Sequence, residues 1–170
     1  MTDNVAAYVH RPGEARALWF LGGLVTWKAT NATTHGHFEL IEQRGRRGFA
    51  APVHAHEQEA EGFYVLDGEM TFVLGDDRQH VPAGAFVFVP PATPHAFVVE
   101  SAEARFLTIV TPPGRFEAFV EEIAESAPSR DLPPADSRTP DIARIDAAAA
   151  RNGQQIMGPP PAPSYFPLNG

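Results

Sequence analysis

Between Ala17 and Val110 the chain alternates short apolar runs with turn-forming residues, the pattern of an antiparallel β-fold. The runs predict strands over Leu18–Leu21, Leu24–Ala29, His37–Gln43, Gly62–Leu66, Met70–Leu74, Ala85–Phe88, Ala96–Val99 and Arg105–Val110. Gly75-Asp76-Asp77 predicts a tight hairpin turn, and Pro82-Ala83-Gly84 a second. Most of these runs are apolar on both faces, so each strand needs cover on both sides. A closed barrel packed against a second sheet, or a dimer, supplies that cover.

After Thr111-Pro112-Pro113-Gly114 the period lengthens. Phe116, Phe119, Val120 and Ile123 fall at i, i+3, i+4 and i+7, the stripe of an amphipathic helix. Ser126 to Ser137 reads as a Pro- and Asp-rich connector. Thr139-Pro140-Asp141 predicts a second helix start and Asn152-Gly153 its stop. Ile142 and Ile145 give that helix only a narrow apolar stripe, which suggests a place over the barrel mouth or on a partner. Gly158-Pro-Pro-Pro-Ala-Pro163 predicts a stiff extended tail, and the first ten residues a loose arm. Residues 1–127 thus form a β-barrel with its packing helix. Residues 128–170 add connector, short helix and tail to the same domain. The fold class is mainly β, a single antiparallel barrel with C-terminal helices.

At 170 residues and 44% apolar content the chain is long enough to bury a substantial core. Its formal net charge is −8, and no basic run exceeds Arg46-Arg47, which argues against nucleic acid as a partner. Without cysteine there is no disulfide, thiol nucleophile or thiolate metal site. Ala17–Val25 superficially imitates a secretory segment behind Arg11 and Arg16. It is too short to span a bilayer, is broken by Gly22-Gly23, and runs on into strand-like alternation. The expected location is the cytoplasm, without membrane association.

The candidate chemistry lies in His54, His56, Glu61 and His95. Side chains alternate along a strand, so His54 and His56 point to one face. Imidazole nitrogen and carboxylate oxygen together suit a divalent transition metal. Any one of these histidines alone is more simply a surface or core residue; the pattern as a whole is not. Glu61 either compensates the charge of a buried cation or serves as a general base, its pKa raised by apolar burial. Glu57 and Glu59 read as solvated rim charges. His35 and His37 repeat the His-x-His spacing without a downstream Glu, and read as surface or pocket-lining residues. His10 and His80 have no partner in the pattern.

The arrangement resembles the cupin superfamily. Gly48, His54, His56, Glu61 and Gly68 fit every position of its first motif. Gly84, Pro90 and His95 fit the second, in which Ala92 replaces a glycine and Val99 an asparagine. Neither replacement removes a ligand; they bear on turn detail. The resemblance implies one metal (Ni, Mn, Fe, Co, Cu or Zn) held by His54, His56, Glu61 and His95 inside a small barrel, and a homodimer. Phe63, Met70, Phe72 and Phe97 would face inward and suit a flat phenolic substrate.

Several segments look more narrowly like bacterial single-barrel quercetin 2,3-dioxygenase-like cupins. They include Gly62-Phe-Tyr-Val-Leu-Asp-Gly-Glu-Met-Thr-Phe72, Phe86-Val-Phe-Val-Pro90 and Thr93-Pro-His-Ala-Phe97. That likeness implies an oxygenase that cleaves a flavonol or similar enolisable aromatic with O2 and releases carbon monoxide, with Glu61 as base. The alternatives are a non-oxidative metal cupin (decarboxylase, isomerase or polyketide-type cyclase) and a non-enzymatic small-molecule-binding module.

Overall fold

Alternation of large apolar and smaller or polar residues produces the strands. In β1 (Ala17–Phe20) Leu18 and Phe20 are buried and their neighbours half-exposed, and Leu21-Gly22 turns the chain into β2 (Gly23–Ala29). The strands β3 (Glu39–Arg46), β4 (Ala50–His56), β5 (Ala60–Asp67) and β6 (Glu69–Leu74) follow. Then come β7 (Asp77–Pro82), β8 (Phe86–Val89), β9 (His95–Val99) and β10 (Glu103–Thr111). Beyond them lie α1 (Arg115–Ile123), β11 (Glu125–Ser126), α2 (Ile142–Arg151) and β12 (Gln154–Gly158). This computed structural model describes residues 6–135 and 141–164. The helix start expected at Thr139-Pro140, and the end of the connector at Ser137, lie outside the described residues. Ala17–Val25 is thus β1, the Leu21-Gly22 turn and the start of β2, not a continuous apolar helix.

The strands form two antiparallel sheets. One has seven strands in the order β11-β1-β2-β3-β10-β5-β8, the other five in the order β12-β4-β9-β6-β7. They are not closed into a barrel but stack as the two sheets of a jelly-roll, in keeping with the expected mainly-β, jelly-roll-like fold class. Their facing sides pack together: Phe63, Val65 and Phe106 of the larger sheet meet Met70, Phe72 and Phe97 of the smaller in one buried cluster. A second cluster joins Leu18, Phe20, Trp27 and Ile41 to Phe116, Phe119 and Val120 of α1. Most strands that read as apolar on both faces are therefore covered by a second sheet or by helices; β8 is not, and its Phe86 and Phe88 stay exposed.

Two expectations change here. β3 begins at Glu39 rather than His37, because Thr34, left-handed His35 and Gly36 form a turn in which both His35 and His37 are exposed. The C-terminal segment is not merely a lid. α2 buries Ile145, Ala148 and Ala149, and the two alanines extend its narrow apolar stripe. β12 then pairs with β4, setting Gln154 opposite His56 and Ile156 opposite His54. Among the described residues, no helix is long and apolar enough to cross a membrane.

Candidate metal centre

β4 and β9 are neighbours, and His54 and His95 are direct cross-strand partners. His95 therefore reaches His54 within one sheet rather than through barrel closure. Glu61 comes from β5 of the opposite sheet, so the cluster sits between the layers. Its four ligand atoms all lie within 4.8 Å of one another. His56, Glu61 and His95 are buried, and His54 is half-buried.

The imidazoles are oriented from behind. His54 Nδ1 lies 2.8 Å from the Pro52 carbonyl, His95 Nδ1 2.9 Å from the Thr93 carbonyl, and His56 Nδ1 2.7 Å from Glu59 Oε2. With each Nδ1–H donating outward, the three Nε2 atoms would be free to ligate a cation. This is how metal-ligating histidines are held. His56 Nε2 is buried without a hydrogen-bond partner, and Glu61 Oε2 stands 3.3 Å from it and 2.7 Å from His95 Nε2. Three imidazole nitrogens and a carboxylate oxygen that converge this way could hold a cation between them. The donor set fits a divalent transition metal: three neutral nitrogens and one compensating carboxylate.

Burial lowers the His56 pKa, but the Glu61 and Glu59 carboxylates outweigh it and carry His56 up to about 10. Burial and the neighbouring His95 imidazole pull His54 down to about 4. Burial raises Glu61 as anticipated, but His56 and His95 hold it well below the usual carboxylate range. The expected upward shift of Glu61 is thus reversed, because two imidazoles lie within hydrogen-bonding reach.

Glu59 departs most from the sequence reading. It is only 2% exposed, and while Oε2 holds His56, Oε1 accepts the Phe116 N–H in the first turn of α1 at 2.9 Å. Its neighbour Glu57 is exposed, as expected of a rim charge. The signal for Glu59 was its parity with Glu61, two residues on. A second buried carboxylate, Glu39, accepts from Gly114 N at the same helix end. Burial, with the nearby Glu117 and Glu59 charges, raises Glu39 to about 7 against the hydrogen bond from Gly114.

A narrow cavity opens beside the cluster. Phe63 and Phe97 line it, joined by Phe49, Phe116 and Ile145, which sequence reasoning did not place there. Met70 and Phe72 do not line it; both are fully buried, and Phe72 packs behind Phe63 and Phe97. The enclosed volume is about 50 Å³ as the side chains stand.

Two packed antiparallel sheets with a buried three-histidine, one-glutamate cluster define a jelly-roll protein equipped for a single metal. Residues 46–110 match the family model described as Cupin domain. That segment, which holds all four residues of the cluster, is similar to a cupin domain. The chain is 29% identical over 143 residues to a quercetin 2,3-dioxygenase of Bacillus subtilis, a match that takes in 84% of this chain. The chain spans 42% of that relative's length. Among solved structures, a predicted oxalate decarboxylase from Thermotoga maritima superposes with a TM-score of 0.56 at 20% identity, covering 61% of this chain and 97% of that one. An RmlC-like cupin from Shewanella frigidimarina gives 0.54 at 20% identity, covering 63% and 92%. At these identities the structures establish the fold alone.

Proposed function

We propose that this protein is a cytoplasmic, metal-dependent dioxygenase, homodimeric, that opens a flavonol or similar enolisable aromatic compound with O2. The observation that carries the reading is the convergence of three imidazoles and Glu61, of which His54 and Glu61 face an aromatic-walled cavity, in a chain similar along most of its length to a quercetin 2,3-dioxygenase. A divalent metal held by His54, His56, His95 and Glu61 would supply a Lewis acid that acidifies a substrate hydroxyl. Glu61 is ionised at neutral pH, the form a base requires, and takes that proton. The resulting anion is the electron source that reduces O2. Two carbon–carbon bonds break, both oxygen atoms enter the products, and carbon monoxide leaves. Phe63 and Phe97 hold the ring faces and exclude water, while Glu59 keeps His56 in the correct tautomer. The homodimer rests on an apolar outer face: Phe86 and Phe88 of edge strand β8 are each 60% exposed, beside Tyr64 and Ile109.

The test is metal analysis joined to flavonol turnover in air and under nitrogen. Wild type should hold one metal and release carbon monoxide only with O2. Glu61→Gln should keep most of its metal and lose roughly 10²-fold or more in turnover, whereas His95→Ala should lose the metal. Turnover without O2 would refute the oxygenase. It would favour a non-oxidative metal cupin with a smaller substrate, a reading supported by the cavity volume of about 50 Å³. That is well below the roughly 300–1,000 Å³ of drug-sized pockets, so a flavonol requires the aromatic walls to swing outward.

A further inference from the structure

The polar side chains on the cavity wall are few. Beside His54 and Glu61 there are only Gln43 and Gln154; the remainder is aromatic or aliphatic. The two glutamines differ in what their amides already do. Gln43 Nε2 donates to Thr108 Oγ1 at 2.9 Å, a buried bond between neighbouring strands that fixes the amide. Gln154 is 5% exposed and its Nε2 has no partner. A buried donor left unpaired is unfavourable, and each such group in a folded protein calls for an explanation.

Among the described residues, four other side chains also carry an unpartnered buried atom: Trp27, Glu39, Arg44 and His56. His56 belongs to the metal cluster, and the other three do not line the cavity. Gln154 is therefore distinct in pairing an unspent donor with a place on the wall. Its position is fixed. The Gly153 carbonyl accepts the Glu57 N–H at 2.9 Å, and the Gln154 backbone lies opposite His56 in the β12–β4 pair. Directly paired side chains start about 5 Å apart, so an atom bonded to Gln154 is close to the metal cluster without being part of it.

We propose that Gln154 is the specificity-determining donor of this cavity. It binds a second oxygen of the substrate while the first faces the imidazoles and Glu61. The inference rests on reading the cavity as the substrate site. It also narrows the chemistry. An amide donor in an apolar wall suits a neutral carbonyl or phenol oxygen. A small dicarboxylate would call for arginine or lysine, and neither lines the cavity. The substrate class is thus an apolar body with two oxygen functions, at most one of them charged.

The experiment uses the full-length, cobalt-loaded protein without O2 and compares wild type with Gln154→Met, which keeps the length, and Gln154→Glu. Binding of quercetin, acetylacetone and azide is followed in the cobalt absorption bands, and thermal midpoints are measured without ligand. Gln154→Met should keep or raise the midpoint, because the donor is unspent. It should weaken whichever two-oxygen ligand wild type binds by about tenfold, leaving azide, which needs only the metal, unchanged. Gln154→Glu should weaken the two-oxygen ligands further. A midpoint several degrees lower in Gln154→Met with unaltered binding would make Gln154 a structural amide. Equal affinities in all three proteins, or failure of wild type to bind either two-oxygen ligand, overturns the proposal. If acetylacetone binds in a Gln154-dependent way but quercetin does not bind, the flavonol reading fails while the role of Gln154 stands.

Discussion

Replacing Glu59 with Gln tests whether the cluster is tuned from behind. Glu59 uses both oxygens: Oε2 for His56 Nδ1–H at 2.7 Å and Oε1 for the Phe116 N–H at 2.9 Å. Glutamine offers one acceptor and one donor group at the same points. If its oxygen stays with Phe116, its amide N–H₂ faces His56, which must then present a lone pair at Nδ1. The imidazole proton moves to Nε2, the atom that faces the cluster, and a protonated Nε2 cannot ligate. The opposite amide orientation keeps His56 but leaves the Phe116 N–H unpaired in the first turn of α1. Groups of this kind behind a metal ligand are worth about 10–100-fold in metal affinity, or ~1.4–2.8 kcal/mol at 1.4 kcal/mol per decade. Chelator competition on the full chain at fixed pH measures the change, with Glu57→Gln, an exposed neighbour, as the unchanged control. If Glu59→Gln binds metal as tightly as wild type, Glu59 does not set the His56 tautomer.

Glu39, raised to about 7 from 4.5, contributes stability that is fully present below pH 4.5 and lost as pH climbs through 7. Glu39→Gln should match wild type near pH 5 and exceed it near pH 8, by roughly 1–2 kcal/mol after allowance for solvent screening; thermal midpoints showing the reverse trend would discard the assignment. Truncation after Ala127 should destabilise the protein, because burial of Ile145, Ala148 and Ala149 alone is worth roughly 3 kcal/mol. Scanning calorimetry should find a midpoint lowered by about 6–12 °C; an unchanged midpoint would mean that α2 and β12 are dispensable. Ala92 holds a left-handed φ of 59° at the place where the second motif carries glycine. Ala92→Gly should stabilise by about 1 kcal/mol, and a denaturant midpoint that falls instead would count against backbone strain there. Phe88→Lys should shift the protein from dimer to monomer in sedimentation, and a dimer that persists would exclude the outer face of β8 as the interface.

What was legible in the sequence was local. The His-x-His spacing put His54 and His56 on one strand face, although β4 was not among the predicted strands, and the motif glycines mark real backbone requirements. Gly68, at φ 81°, has the Glu103 carbonyl oxygen 2.4 Å from where a Cβ would stand. The helical stripe of α1 was equally plain. What was not legible depended on partners distant in sequence. Glu59 was taken for a rim charge because nothing near it announces the Phe116 N–H that buries it. β12, Gln-Gln-Ile-Met-Gly, lacks an apolar run and is a strand because β4 has an edge to receive it. β7 is polar at most positions and showed itself only through its hairpin turn. Met70 and Phe72 share the inward face of the smaller sheet, but parity does not tell a cavity wall from the layer behind it.

The pairing of β12 with β4 also has a temporal side. The cluster ligands run from His54 to His95, and about sixty further residues, or roughly 3–12 s of synthesis at 5–20 residues per second, separate them from Gln154. Throughout that interval β4, with two of the three imidazoles, is an open sheet edge of the kind that recruits other chains. A metal captured early would tie β4 to β9 through the His54–His95 pair and steady that edge until β12 arrives. Metal supply during translation would then bear on how long that edge stays exposed, apart from any part it plays in the finished molecule.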